Sequence, residues 1–240
     1  GYVAYCFAAT FLGIGICYLI SLLLKDKSIQ GEFVQASYRS SAALMGIAII
    51  QNIYGNAGMA PLMIIGTVPL YNVMAVVILS ILKPERGKVD KALLLKTGKG
   101  IVTNPIILGI LAGMIWSGLR LPMPKILDKT VSNVGVLATP LGLMALGAGK
   151  IKPAIVATFI KLIGLAAIFL PIGVMLGYTH EHLIALIVML GSASTVSCFV
   201  MAKNMGHDGT LTSSVVVLTT LFSALTMTGW LFIFRTMGLV

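Results

Sequence analysis

Between Tyr2 and Leu24 no side chain carries a charge, and comparable apolar stretches recur to the end of the chain with short polar connections between them. A helix needs roughly 20 apolar residues to cross the hydrocarbon core, and it satisfies its own backbone hydrogen bonds while doing so. Tyr2–Leu24 therefore predicts a first span. Ser40–Leu82 is uncharged throughout and too long for one crossing. Tyr54-Gly55-Asn56-Ala57-Gly58 has the Gly and Asn content of a tight turn and divides it into a short second span, about Ser40–Ile53, and a third, about Met59–Leu82. A polar loop over 83–100 follows. Further spans are expected at Ile101–Ser117, Val134–Gly149, Pro153–Tyr178, Leu183–Ala202 and Leu211–Phe234, which makes eight. The seventh is interrupted by Gly191-Ser192-Ala193-Ser194-Thr195.

Composition agrees. Apolar residues make up 58% of the 240 positions and charged residues only 10%, too few to cover a water-soluble particle. Disorder needs the opposite balance. The net charge of +10 could suggest nucleic acid, but the basic residues are sparse and flank the apolar runs, so no nucleic-acid partner is expected. Alternating the loops across eight spans puts Lys25, Lys27, Arg39, Lys83, Arg86, Lys88, Lys91, Lys96, Lys99, Lys150, Lys152 and Lys203 on one side. Arg120, Lys125, Lys129 and Arg235 fall on the other. The bias predicts a multi-pass protein of the cell membrane with the 83–100 loop in the cytoplasm. Cys6, Cys17 and Cys198 lie in apolar stretches without metal-like spacing, and neither a metal nor a cofactor is expected. The chain opens on Gly1-Tyr2-Val3 without a basic leader, as expected of a piece cut from within a longer membrane protein.

A shift of 151 residues pairs the first span with the sixth, the second with the seventh and the third with the eighth. It also pairs Gly55-Asn56-Ala57-Gly58 with Gly206-His207-Asp208-Gly209. Partners of the fourth and fifth spans would lie ahead of Gly1, which predicts five spans per copy. An odd number inverts the second copy relative to the first. The short second span and the interrupted seventh correspond under this shift, and such pairs point to a midplane substrate site. Helix ends opened there need a cavity, water or ligand, and their N-termini favour an anion.

Several segments carry a family likeness: Arg39-Ser40-Ser41-Ala42-Ala43-Leu44-Met45-Gly46-Ile47-Ala48, Val68-Pro69-Leu70-Tyr71-Asn72-Val73, and Asn104-Pro105-Ile106-Ile107-Leu108-Gly109. Ala138-Thr139-Pro140-Leu141-Gly142-Leu143 and Phe199-Val200-Met201-Ala202-Lys203 continue it in order. The chain resembles the auxin efflux carrier family over essentially its whole length, and its bacterial malate or malonate permease-like members in particular. The resemblance implies an all-α, inverted five-plus-five transporter whose first two helices precede this fragment. Residues 1–82 would then belong to the first repeat and 101–240 to the second. Broken crossing helices would hold an organic anion, and a homodimer would form through helices ahead of Gly1. Two departures stand out: Ser41 replaces an Asn common in the family, and Ala48 replaces a helix-breaking Pro.

The candidate substrate-binding residues are Ser40, Ser41, Ser192, Ser194, Thr195 and Ser197 as hydroxyl donors, with Arg39 and Lys161 as cations. Tyr71 and Asn72 could serve a pocket or a helix contact, and Gly46 and Thr139 come from the family-like segments. Lys161 is charged inside a span, where insertion costs roughly 3 kcal/mol. It either snorkels toward the interface, pairs within the protein or meets substrate. The hydroxyls have their own alternative, bonding back to carbonyls of their helices. His180, Glu181 and His182 read as a short outer loop, and all seven acidic residues are expected in loops or at span ends. With no acid–base constellation in view, an enzyme is not expected. A transporter of small organic anions by alternating access is expected, with a non-transporting sensor or scaffold of the same fold as the alternative.

Overall fold

The computed structural model describes residues 1–83, 98–99, 102–103, 105–120, 122–126, 128–131 and 149–240. The described residues form helices and connections without a strand. Helix α1 spans Tyr2–Ser21, α2 Gln30–Tyr38, α3 Ala42–Tyr54, α4 Ala60–Ile81 and α5 Pro105–Gly118. Helix α6 spans Ile151–Met175, α7 His180–Gly191, α8 Val196–Asn204 and α9 Thr210–Thr236. Four of these, α1, α4, α6 and α9, are long and apolar enough to cross a membrane, and α7 with α8 forms a fifth candidate bent by 43°. Residues 134–148 of the fifth expected span, Thr139 among them, and the 84–97 stretch of the polar loop lie outside the described residues.

The long helices wear their apolar side chains outward as well as inward. Phe11, Leu12 and Leu19 on α1 and Leu221, Leu225 and Phe232 on α9 are exposed, as suits a surface solvated by lipid. Small residues set the inner contacts. A Cβ on Gly66 of α4 would lie 2.9 Å from the Val3 carbonyl and 3.0 Å from Cys6 Cβ, so α1 and α4 meet backbone to backbone at this glycine.

One expectation needs correction. The second span does not begin at Ser40; the helical path starts ten residues earlier, at Gln30, as α2, and breaks over residues 39–41 before α3. Gln30, Glu32, Gln35 and Ser37 gave α2 the hydropathy of a loop, yet all four are buried. The order of elements therefore repeats: a long helix, a broken pair, a long helix, then the same again from α6 to α9. His180, Glu181 and His182 are likewise not loop residues; they open α7.

The ends of the helices sort onto two faces. Asp26, just beyond α1, pairs with Lys150, just before α6, at 2.7 Å. Hydrogen bonds from Lys150 and Ser28 hold the Asp26 carboxyl down at about 2. Helices α1 and α6 therefore run in opposite directions from this contact. At the far end Tyr2 packs edge-on against Tyr178 and His182, and its hydroxyl donates to the His182 carbonyl at 3.0 Å.

Gly66→Val should lower thermal stability by about 1–3 kcal/mol, because the added atoms meet the α1 backbone and cannot be absorbed by a rotamer change. Gly15→Ala, with nothing within 4 Å of the new atom, should unfold as the parent does. Thermal unfolding in detergent compares the two.

Candidate functional site

The two broken pairs cross. Residues 39–41 and 192–195 leave helical geometry at the crossing, and the Ser41 N–H donates to the Ala193 carbonyl at 2.8 Å, one break bonding the other. Neither break contains proline. The chain opens because hydroxyls and the Lys161 ammonium bond the ends that the breaks expose.

Lys161 supplies the largest part of this. It is fully buried, so of the alternatives it pairs within the protein and does not snorkel, and it lies in a π-helical turn, Ile160–Gly164, within α6. Its ammonium donates to Ser40 Oγ at 2.6 Å, to the Leu190 carbonyl at 3.0 Å and to the Met189 carbonyl at 3.5 Å. A cation thus sits at the carbonyl end of α7, where the helix dipole is negative. Ser40 Oγ also donates to the Met189 carbonyl at 2.5 Å and lies 3.2 Å from Ser192 Oγ.

Arg39 leaves the first break on the side of α4 and α8. It is 3% exposed, and its guanidinium donates to Asn72 Oδ1 and lies 3.6 Å from Met201 Sδ. Asn72 Nδ2 donates in turn to the Val68 carbonyl at 2.9 Å, which orients the amide oxygen toward Arg39. Among the described residues neither Arg39 nor Lys161 has a carboxylate partner; the ion pair found there is Lys150–Asp26.

The remaining candidates divide. Ser194 Oγ donates to the Ala36 carbonyl at 2.7 Å and its N–H to Thr219 Oγ1 at 3.0 Å, so the second break is tied to α2 and α9. Thr195 and Ser197 hydroxyls pair with each other at 2.7 Å, half-exposed at the start of α8. The Ser41 hydroxyl makes no hydrogen bond to another described residue and stays half-buried at the crossing. Tyr71 is buried beneath Tyr38, whose hydroxyl donates to the Tyr71 carbonyl at 3.3 Å. Gly46 stands away from the break as a packing position: a Cβ there would meet Met63 at 3.0 Å and Val188 at 3.4 Å.

Sequence reasoning missed Glu32. It was expected in a loop, whereas it lies on α2, 1% exposed, and accepts from the Gly209 N–H at 2.8 Å and from the Thr212 N–H and hydroxyl at 3.0 Å each. Glu32 caps the start of α9, which lacks a capping side chain of its own. A carboxylate is embedded in the bundle after all. Four residues either side of it, Gln30 and Gln35 among them, alternate too irregularly with apolar ones to read as a helix buried on all sides. Gln35 was missed for the same reason; its amide donates to the Cys198 carbonyl at 2.7 Å, while its own oxygen, fully buried, has no hydrogen-bond partner among the described residues.

A broken helix pair with charged groups at the break, set among long lipid-facing helices, is the architecture of a membrane carrier. Residues 3–231 match the family model described as "Membrane transport protein". The chain belongs to the membrane transport protein family. This is the auxin efflux carrier-type family that the motifs resembled, and it is a family of transporters and not of enzymes. No individual curated protein matches the chain. As a member of the membrane transport family it is an integral, multi-pass membrane protein.

Ser40→Ala removes a partner from the buried Lys161 ammonium and should cost about 1–3 kcal/mol of stability. Ser41→Ala, which breaks no bond among the described residues, should leave the melting temperature unchanged. An unchanged melting temperature for Ser40→Ala would mean that the α7 carbonyls alone suffice for the cation.

Proposed function

We propose that the protein is a secondary transporter of small organic anions, malate- or malonate-like carboxylates or auxin-like acids, working by alternating access. In this reading it comprises eight spans of an inverted five-plus-five repeat, with two helices preceding Gly1 in the complete protein. The oppositely directed α1 and α6 support inversion, as does the repeated order of long helix, broken pair and long helix. The anion meets the crossing of the two breaks.

One observation carries the charge preference: two buried cations, Arg39 and Lys161, flank the crossing with neutral partners only among the described residues. Burying an unpaired cation is costly, and an anion arriving between them would supply the missing charge. The open N-termini of α3 and α8 add N–H groups and positive partial charge. In this reading Ser41, Thr195 and Ser197 offer hydroxyls to it, with Ser40, Ser192, Ser194, Tyr71 and Asn72 holding the frame behind. Lys25, Lys27, Lys83, Lys150, Lys152 and Lys203 cluster at or near the Asp26–Lys150 end in sequence, which supports a cytoplasmic assignment of that face in the cell membrane. A homodimer of the complete protein belongs to the same reading.

A specific observation favours a second reading. Ser40, Ser192 and Ser194 spend their hydroxyls on protein groups, as they would in a sealed sensor or scaffold that never admits an anion. Uptake of labelled malate, malonate and auxin-like acids by proteoliposomes of the complete protein separates the two. Concentration-dependent uptake of at least one is expected, and binding without flux across the panel would favour the scaffold.

Lys161→Met should abolish uptake if the ammonium attracts the anion, with the protein still inserted in the membrane. Ser41→Ala and Ser194→Ala should weaken affinity several-fold, and unchanged kinetics in both would remove the hydroxyls from the site.

A further inference from the structure

Glu32 has a counterpart. Under the shift of 151 residues that relates the two halves, Gly209 corresponds to Gly58, and Glu181 lies two residues ahead of Leu183, the position that corresponds to Glu32. The contacts correspond as well. Glu32 on α2 reaches Gly209 and Thr212 at the start of α9. Glu181 on α7 reaches Gly58 just ahead of α4: a Cβ on Gly58 would lie 2.8 Å from Glu181 Oε2 and 3.2 Å from its Cδ. Both glycines take the left-handed backbone, with φ of +74° and +46°, and both precede a long helix whose N-terminus lacks a side-chain cap. Each carboxylate belongs to the first half-helix of one broken pair and rests on the long helix that closes the other half of the chain.

The two contacts lie at opposite ends of the bundle. Helices α2 and α9 start beside the Asp26–Lys150 pair, for Asp26 precedes α2 and Gly149 N–H donates to Ser214 Oγ in the first turns of α9 at 2.8 Å. Helices α4 and α7 start at the other end, where Tyr2 meets Tyr178 and His182. An alternating-access cycle must loosen the broken pairs from their neighbours at one end while holding them at the other.

We propose that Glu32 and Glu181 are paired latches, one for each membrane face, each holding a crossing half-helix to the long helix of the opposite repeat. The proposal rests on the transport reading for its purpose and on the contacts above for its placement. Glu32 holds its helix by three hydrogen bonds from α9, and a neutral amide there loses one acceptor atom and the charge that suits a helix N-terminus. Glu181 has its carboxylate against Gly58, where its charge suits the N-terminus of α4. Releasing one latch shifts the balance of conformations toward opening at that face, and releasing the other shifts it the opposite way.

The test uses the complete protein in proteoliposomes, with Cys198, buried at the crossing, as the reporter and the other cysteines replaced by serine. A membrane-impermeant maleimide is added from one face at a time. Glu32→Gln should raise labelling several-fold from the Lys150 face and leave the other face at the parental level. Glu181→Gln should do the reverse, and the double variant should restore the parental ratio between faces. Thr212→Val, which removes one donor to Glu32 and leaves both charges in place, should shift labelling in the same direction as Glu32→Gln by a smaller factor. Shifts toward the same face, or labelling equal to the parent in all the variants, would overturn the latches. Labelling needs no transported substrate, so opposed shifts without uptake of any anion would sink the transport reading and keep the latches, and uptake with unopposed shifts would do the converse.

Discussion

A helix broken in the interior of a bundle must find partners for the N–H and C=O groups that the break exposes, and this requirement organises the crossing. The carbonyl end of α7 is met by Lys161 and Ser40. The carbonyl end of α2 is met by Ser194, whose hydroxyl bonds Ala36. The two breaks then share a backbone bond of their own, Ser41 to Ala193. Each partner comes from another element, so the breaks persist only while the helices remain packed around them. Proline, the usual local means of opening a helix, is not needed.

The same requirement explains why the crossing is electropositive. An ammonium is an effective partner for a carbonyl end, because it brings charge opposite to the dipole as well as donors. Lys161 satisfies the backbone and in doing so leaves its own charge without a counter-ion among the described residues. Arg39, held by Asn72 and the Met201 sulfur, adds a second. Lys161, which stabilises the break, therefore also makes the crossing electropositive.

Hydropathy located the long helices well. Four of them, α1, α4, α6 and α9, fall within a few residues of the expected spans, because lipid-facing helices must be apolar on nearly every face and composition alone reports that. It failed for α2. Glu32, Gln35 and Ser37 look like loop residues when each is weighed as though it faced lipid or water, yet each is buried against α8, α9 or its own helix, where a partner awaits it. The burial of Lys161 was equally hidden, since a lysine well inside a span reads alike whether it snorkels or turns inward. The glycines before α4 and α9, by contrast, were legible as turn residues, and both stand where the chain turns with positive φ.

What the amino-acid order determined by itself was the membrane solvent, the length and rough limits of the long helices, the turn glycines and the interruption of the seventh span. These follow from local chemistry, in which each residue's preference for lipid, helix or turn is nearly independent of its distant neighbours. What only the tertiary structure decided was which polar residues meet: Lys161 with Ser40, Arg39 with Asn72, Glu32 with the start of α9. Those pairs join positions from 33 to 180 residues apart. A buried charge is tolerable only beside its partner, and the distance between partners is settled by how the helices pack.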